Sequence, residues 1–193
     1  MTPFIERSPE RDAAIEAVLP LVGTRGWTIE ALCEAAGPDS DLLFPGGAAE
    51  LVEAYVDYAD RRMVREAAPI VAEERLSRRV RTLILTRLAQ AEGERDAVRR
   101  GLAILSLPGN TGAGARSLAR TVESIWTAAG DVSADFSWYT KRAILAGVYS
   151  ATLLFWLNDT EGSRTEAFLD RRLAGVARIG KLRARLGRER AAA

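Results

Sequence analysis

The most constraining feature of the sequence is a run of fifteen residues, Ala143 to Leu157, in which only Ser150 and Thr152 are polar. A helix that is apolar on every side is buried in a protein core or in a membrane. Fifteen residues are fewer than the roughly 20 that cross a bilayer, so the run predicts a central core helix. Elsewhere, strand patterns are nearly absent and apolar residues recur at helical spacing.

This spacing predicts an all-α protein of about nine helices. Residues 1–65 form an N-terminal three-helix unit with the dimensions of a helix-turn-helix, and residues 66–193 form a longer helical region; we expect one structural domain. Proline and glycine predict the interruptions. We expect a kink or a weak point at Pro20, a helix boundary at Pro69, and a loop over LPGNTGAGA, Leu107 to Ala115.

The composition argues against catalysis. The absence of histidine removes the commonest general base, the Ser/His and Cys/His pairs and most transition-metal sites. Glu92, Glu94 and Asp96 lie among arginines in a helix-breaking turn, which favours a solvated charged turn over acid/base chemistry. The glycine-rich loop lacks the Lys-Ser/Thr of a phosphate-binding loop. We therefore predict that the protein is not an enzyme and uses no cofactor and no metal.

Charge is unevenly distributed, although the net charge is only +1. Residues 28–60 contain eight acidic side chains and no basic one, whereas residues 171–193 contain eight basic side chains and one glutamate. DNA binding depends largely on Lys and Arg that neutralise phosphates. The acidic N-terminal region should therefore repel DNA, and we predict no nucleic-acid partner.

The start of the apolar helix has a different character. Asp135, Trp138, Tyr139 and Arg142 fall at i, i+3, i+4 and i+7 and share one helical face. Charged groups are rarely buried unpaired, so this end should reach the surface and expose an aromatic patch. Two interpretations remain open: a helix end where Trp138 closes the core under a stacked Arg142, and an interaction site.

The last helix is basic and amphipathic. One interpretation is a peripheral contact with an anionic membrane, and the other is a packed surface helix with solvated arginines. The N-terminus has neither a signal core nor the character of a transit peptide. We expect a cytoplasmic protein with a peripheral contact at the inner face of the membrane.

The segment GWTIEALCEAAG, followed by LLFPGGAAELVEAYVDYADRR, resembles the N-terminal domain of TetR-type repressors. These continue into a helical ligand-binding and dimerisation region, which residues 66–193 would provide here. The would-be recognition helix begins with Asp39 and Asp41, so we expect the TetR-like fold without DNA binding. The alternative function is that of a TetR-type transcriptional regulator sensing a hydrophobic ligand.

LFPGGAAELVEAY, and above all DFSWYTKRAILAGVYSATLLFWLND followed by AFLDRR, resemble the ubiquinone-biosynthesis accessory family, the ninth of the coenzyme Q biosynthesis proteins. The resemblance implies a homodimer with a hydrophobic tunnel for isoprenoid lipid. It also implies that the protein presents a quinone intermediate to the di-iron demethoxyubiquinone hydroxylase. Eukaryotic members continue to a separate membrane-binding helix, and we expect the basic segment from Arg178 to take its place here.

The resemblance also implies two sets of site residues. The surface that meets the hydroxylase corresponds to Asp135, Trp138, Tyr139, Arg142, Leu107 and Pro108. Lipid-binding residues carry over less firmly, because each would serve equally well in an ordinary core. They are Val122, Ile125, Trp126, Leu145, Tyr149 and Leu153.

Overall fold

The computed structural model describes residues 5–72, 74–131 and 137–176, and regular structure in this part of the chain is entirely helical. The α-helices are α1 (Pro9–Arg25), α2 (Ile29–Ala36), α3 (Gly47–Val71), α4 (Leu76–Gln90), α5 (Arg95–Leu105), α6 (Thr111–Ala128), α7 (Ser137–Asn158) and α8 (residues 165–176). A 3₁₀ helix, Pro38–Leu43, completes the nine predicted helices, and single 3₁₀ turns cover Glu92–Glu94 and Pro108–Asn110. The predicted all-α fold class is confirmed.

The chain divides into two compact units, Met1–Val132 with α1 to α6 and Ser133–Ala193 with α7 and α8. The predicted boundary between residues 65 and 66 lies inside α3, and that functional division stays a prediction. None of the helices in the described ranges is both long enough and apolar enough to cross a bilayer.

Short-range signals set the ends of the first helices. The Ser8 hydroxyl accepts from the Arg11 amide at 3.2 Å, and the Thr28 hydroxyl accepts from the Ala31 amide at 3.1 Å, so each caps a helix start. Gly26 follows α1 with φ 76°, in the left-handed region that favours glycine. The chain therefore turns sharply between α1 and α2.

The core of the first unit forms around Trp27, which is buried and lies between α1 and α2. Its indole N–H donates to the Ala97 carbonyl of α5 at 2.8 Å, and its ring meets that of Tyr55 with centroids 4.9 Å apart. A buried indole needs such a hydrogen-bond partner. Trp27 thus connects the N-terminal helices to α3 and α5.

Two of the predicted interruptions are wrong. α3 continues past Pro69 to Val71, because a proline in the last helical turn removes only one hydrogen bond, to the carbonyl of exposed Arg65. α6 begins at Thr111, inside the predicted loop. A Cβ on Gly114 would lie 3.1 Å from the Leu105 carbonyl oxygen, so this glycine lets α6 start close to the end of α5. Pro20, where a kink or a weak point is expected, lies inside α1, and the helix continues to Arg25.

A row of four carboxylates on one face of α3 holds the first unit together. Glu50, Glu53, Asp57 and Asp60, the α3 carboxylate stripe, are spaced i, i+3, i+7 and i+10. Each meets an arginine from another segment: Arg11 on Glu50 at 2.8 Å, Arg116 and Arg120 on Glu53 at 3.1 Å each, Arg7 on Asp57 at 2.7 Å, and Arg87 on Asp60 at 3.1 Å. The stripe thereby links α3 to α1, α4, α6 and the segment before α1.

Asp60 is the most buried member of the stripe. Its Oδ1 accepts from Arg87 Nε, and its Oδ2 accepts from the Thr121 hydroxyl at 2.7 Å. Burial raises the pKa of this carboxyl, while the Arg87 charge and the Thr121 hydroxyl favour its ionised form. Removing one partner of such a buried ion pair lowers the free energy of unfolding by about 3 to 5 kcal/mol in general. Asp60, Arg87 and Thr121 therefore fix α4 and α6 on α3.

At Asp57 the effect of hydrogen bonds on the pKa outweighs the effect of burial. Burial alone would raise its pKa, but hydrogen bonds from Arg7 and Arg61 hold the pKa below its usual value. As the pH falls, the unfolded aspartate takes up a proton before the folded one does. Asp57 therefore stabilises the fold above the pKa of an unfolded aspartate, about 3.9, and this contribution is lost on acidification.

Replacing Asp57→Asn should flatten the pH dependence of stability. We expect the free energy of unfolding of the wild type to fall more steeply between about pH 5 and pH 3 than that of the variant. Urea titrations followed by circular dichroism at several pH values measure both curves. Parallel curves would show that the Asp57 pairing contributes nothing to acid sensitivity.

Candidate functional site

The first turns of α7 bring together three of the predicted partner-binding residues. The Arg142 guanidinium carbon lies 3.8 Å from the centroid of the Trp138 ring, and the Tyr139 ring meets Trp138 edge-on at 4.7 Å. Tyr139 is 69% exposed, while Trp138 and Arg142 are half-buried. The stacked arginine and the exposed aromatic ring are therefore both present. Asp135 lies outside the described residues.

Leu107 and Pro108 belong to the first unit, where they open the 3₁₀ turn before α6. Both are exposed. The turn is held by Asn110, whose amide donates to the Leu107 carbonyl at 2.8 Å and whose side-chain nitrogen donates to the Ile104 carbonyl at 3.0 Å. The grouping of this turn with the aromatic residues of α7 stays a prediction.

The predicted lipid-binding residues divide between the two units. In α6, Val122 and Ile125 are buried and Trp126 is half-buried. In α7, Leu145 and Tyr149 are buried and Leu153 is half-buried. Such burial suits an ordinary core and a cavity wall equally, so their lipid-binding role stays a prediction.

The expectation that α7 is buried on every side is wrong. Leu145, Val148, Tyr149, Thr152 and Trp156 are buried, and the Thr152 hydroxyl donates to the Val148 carbonyl at 2.7 Å. Ile144 and Leu154, however, are 40% and 57% exposed, and Ala143 and Gly147 are exposed beside them. These four residues form the exposed α7 face. The apolar run is thus a core helix with one uncovered side.

The basic amphipathic helix lies only partly within the described residues. In α8, Leu169 is buried and Phe168 stacks on Phe155 with centroids 4.2 Å apart, so its apolar side packs as one interpretation held. Arg171 and Arg172 are exposed. Residues 177–193, which contain the basic segment proposed to bind membrane, lie outside the described residues.

Comparison with known proteins decides the family. Residues 111–180 match the COQ9 family model. The mitochondrial ubiquinone biosynthesis protein coq9 of Schizosaccharomyces pombe is 33% identical over 187 residues, which cover 91% of this chain and 73% of the yeast protein. The chain belongs to the COQ9 family.

Mammalian COQ9 proteins show the same likeness over a smaller share of their length. The mitochondrial ubiquinone biosynthesis proteins COQ9 of Homo sapiens and Rattus norvegicus are each 32% identical over 181 residues, or 86% of this chain. The chain spans 57% and 58% of their respective lengths. The region matched by the COQ9 model includes α6, α7 and the aromatic residues of α7, whereas Leu107 and Pro108 lie just before it.

The TetR-like fold is confirmed by a solved structure. The TetR transcriptional regulator from Nitrosomonas europaea ATCC 19718 superposes with a TM-score of 0.71 and 24% identity, covering 88% of this chain and 99% of the regulator. Similarity at this level of identity shows a shared fold. It does not transfer the regulator's activity to this COQ9-family chain.

The N-terminal unit exposes less acidic charge than its sequence suggested. Four of the eight acidic residues in 28–60 form the α3 carboxylate stripe and pair with arginines. The other four, Glu30, Glu34, Asp39 and Asp41, are exposed, and of these Glu34 lies 3.5 Å from Arg25. The segment predicted as a would-be recognition helix forms the 3₁₀ helix Pro38–Leu43. Arg11 holds its end by donating to the Leu43 carbonyl and lying 4.4 Å above the Phe44 ring. The i, i+3, i+7, i+10 spacing of the stripe was the signal in the sequence that its four carboxylates share one face of α3.

Proposed function

We propose that this COQ9-family protein is a non-enzymatic accessory protein of ubiquinone biosynthesis. It binds isoprenoid quinone intermediates and presents them to the demethoxyubiquinone hydroxylase. The observation that carries the proposal is the likeness to the fission-yeast ubiquinone biosynthesis protein over 91% of the chain. A polyprenyl tail leaves the bilayer only where apolar protein contacts replace those it loses, so a carrier acting at the cytoplasmic face of a membrane would meet a physical need.

The lipid would lie against apolar side chains of α6 and α7. Ligand sites for such molecules are lined mostly by aliphatic and aromatic groups with few polar ones. Val122, Ile125 and Trp126 supply such a surface on α6, and Leu145, Tyr149 and Leu153 supply one on α7. Support for this assignment comes from their size and their full or partial burial.

The hydroxylase would dock on the aromatic start of α7. Tyr139 is mostly exposed, and Trp138 is held in place by the stacked Arg142. Aromatic side chains and arginine dominate the binding energy of protein interfaces. Because the stack already restricts these side chains, binding would cost little additional conformational entropy. Asp135, Leu107 and Pro108 complete the proposed surface.

A homodimer is the simplest way to cover the exposed α7 face. Ile144 and Leu154 would lose their contact with water, and no side chain of the described residues lies within 4 Å of the position that a Cβ on Gly147 would take. Small residues allow a neighbouring helix to approach closely. A second copy of α7 is therefore the proposed cover for this face.

Native mass spectrometry of the protein purified without detergent tests both binding proposals at once. We expect a species of twice the mass of one chain that carries additional mass from lipid. Fragmentation and extraction should identify an isoprenoid quinone or a related prenyl lipid. A lipid-free species would contradict lipid carriage, and a monomer at micromolar concentration would contradict the dimer.

The docking surface is tested most cleanly with Tyr139→Ala, because this exposed side chain can be removed without opening the core. We expect at least tenfold weaker binding to the hydroxylase, corresponding to about 1.4 kcal/mol or more for a hot-spot residue. The double change Trp138→Ala with Arg142→Ala should weaken binding further. Titration calorimetry measures the affinities, with Leu42→Ala as an exposed control in the other unit.

Circular dichroism and thermal melting must show that the variants are folded. Equal affinity of folded Tyr139→Ala and wild type would contradict docking through this residue. Unfolding of the double variant would instead assign Trp138 and Arg142 to the core.

A second candidate, a TetR-type regulator sensing a hydrophobic ligand, is favoured only by the likeness to the Nitrosomonas regulator. The exposed carboxylates of Glu30, Glu34, Asp39 and Asp41 oppose it, since they would face DNA phosphates in the repressor arrangement. Specific, salt-dependent retention of genomic DNA fragments on the protein would favour the regulator over the accessory protein.

A further inference from the structure

The segment that precedes α1 lies against α3. Arg7 donates two hydrogen bonds to the Asp57 carboxylate of α3, from Nε to Oδ2 at 2.9 Å and from Nη2 to Oδ1 at 2.7 Å. Ile5 is half-buried and packs against the hydrophobic core of the first unit. We call residues 5–7 the N-terminal strap. Its contacts with α3 and with the core are thus one ion pair and one aliphatic side chain.

The strap ends at a fixed point, because Ser8 caps α1. The Ser8 hydroxyl accepts from the Arg11 amide at 3.2 Å, and the Ser8 carbonyl accepts from the Asp12 amide at 3.1 Å. In the described part of the chain, residues 5–7 form no backbone hydrogen bond. Glu6 is mostly exposed and lies 3.6 Å from Arg11. Movement of the strap about Ser8 therefore breaks no backbone hydrogen bond.

The Arg7–Asp57 pair can separate without leaving a buried charge unpaired. Asp57 is almost fully buried, but its Oδ2 also accepts from Nε of Arg61, on the same helix, at 3.0 Å. The Arg7 side chain is 53% exposed, so its guanidinium would pass readily into water. Separating a buried ion pair is costly chiefly because it leaves an uncompensated buried charge. The contact with Arg61 removes most of that cost.

The other pairs of the α3 carboxylate stripe differ in this respect. Arg87 and Asp60 are both buried, so their separation would leave two buried charges unpaired. Glu53 has two arginines, but both belong to α6, and Glu50 is paired with a buried arginine of α1. Among the ion pairs of the described ranges, Asp57 is the stripe carboxylate that combines a half-exposed partner with a second arginine on its own helix.

Release of the strap would leave α1 in place. Arg61 also donates to both carboxylate oxygens of Asp12 on α1, at 2.8 Å and 2.6 Å. The Tyr58 hydroxyl of α3 donates to the Glu16 carboxylate of the same helix. These contacts between α1 and α3 persist when the strap is released. The motion is therefore confined to the strap.

We propose that the N-terminal strap is a releasable cover on the first unit, with the Arg7–Asp57 pair as its latch. In the closed form Ile5 shields part of the core, and in the open form the strap extends into water and uncovers that apolar surface. An ion pair with an exposed partner contributes little stability and is screened by salt. The population of the open form should therefore rise with ionic strength. This conformational device goes beyond the proposed function, because it requires no quinone and no hydroxylase.

Electron paramagnetic resonance of a spin label on the strap tests the proposal. The label is attached to the full chain through Glu6→Cys, at a position 77% exposed, with Cys33→Ser to remove the native thiol. We expect two spectral components, a slow one from the closed strap and a fast one from the open strap. Added salt should increase the fast component, and this response should be lost with Arg7→Gln.

Substitutions on both sides of the latch should change the ratio of the two components. Arg7→Gln and Asp57→Asn should each raise the ratio of fast to slow about fivefold, the effect of one ion pair with an exposed partner. The two changes together should raise it no further, because both remove the same interaction. Ile5→Ala should also raise it. Glu53→Gln, which removes a stripe carboxylate paired with α6, is the matched control and should leave the ratio unchanged.

Circular dichroism must show that each variant is folded. Arg7→Gln changes a half-exposed side chain outside the helices, so it decides the test even if Asp57→Asn unfolds. A purely slow spectrum of folded Arg7→Gln would overturn the proposal by showing a fixed strap. A purely fast spectrum of the labelled chain without further substitutions would overturn it by showing that no closed form exists. An equal change with Glu53→Gln would also overturn it, since general loosening of α3 would then explain the result.

Discussion

The structure of the first unit depends on the α3 carboxylate stripe. Hydrophobic burial drives helices together, but it does not by itself decide which helix lies on which face. Glu50, Glu53, Asp57 and Asp60 provide position-specific contacts for arginines that approach from four directions. An ion pair removed from water is tolerated only when the geometry is good, so the Arg87–Asp60 pair, in which both side chains are buried, favours one packing arrangement over its alternatives.

The same stripe affects how well the N-terminal surface suits DNA phosphates, because it uses arginines inside the unit. In the N-terminal unit, Arg11 binds Glu50 and also holds the Leu43 carbonyl, so this arginine is used inside the unit. Glu30, Glu34, Asp39 and Asp41 are left as exposed acidic groups around the position of a recognition helix. The TetR-like architecture is thus retained with a surface that is poorly suited to phosphate.

Local patterns in the sequence predicted the all-α class, the number of helices and the apolar helix α7, because helical periodicity depends on neighbouring residues. The continuation of α3 through Pro69 and the start of α6 at Thr111 escaped prediction, since both depend on where the helix meets solvent or another helix. The exposed α7 face was missed for a related reason. Hydropathy shows that Ile144 and Leu154 need cover, and it does not show whether the same chain provides it.

From the sequence, only those site residues that lie on one helix could be predicted to meet. Trp138, Tyr139 and Arg142 meet because they lie within two turns of α7, whereas their grouping with Leu107 and Pro108 involves a second unit and stays a prediction. Of the six predicted lipid-binding residues, three lie on α6 in the first unit and three on α7 in the second. Spacing cannot distinguish a filled core from a lipid cavity, since both require the same side chains.

The role in ubiquinone biosynthesis is tested most directly in Schizosaccharomyces pombe cells that lack their own coq9 protein. The chain, preceded by a mitochondrial leader, is expressed in these cells, and the ratio of demethoxyubiquinone to ubiquinone is measured by mass spectrometry of extracted lipids. A COQ9-family accessory protein should lower this ratio towards that of cells with their own coq9. A ratio unchanged by folded, correctly located protein would contradict the account.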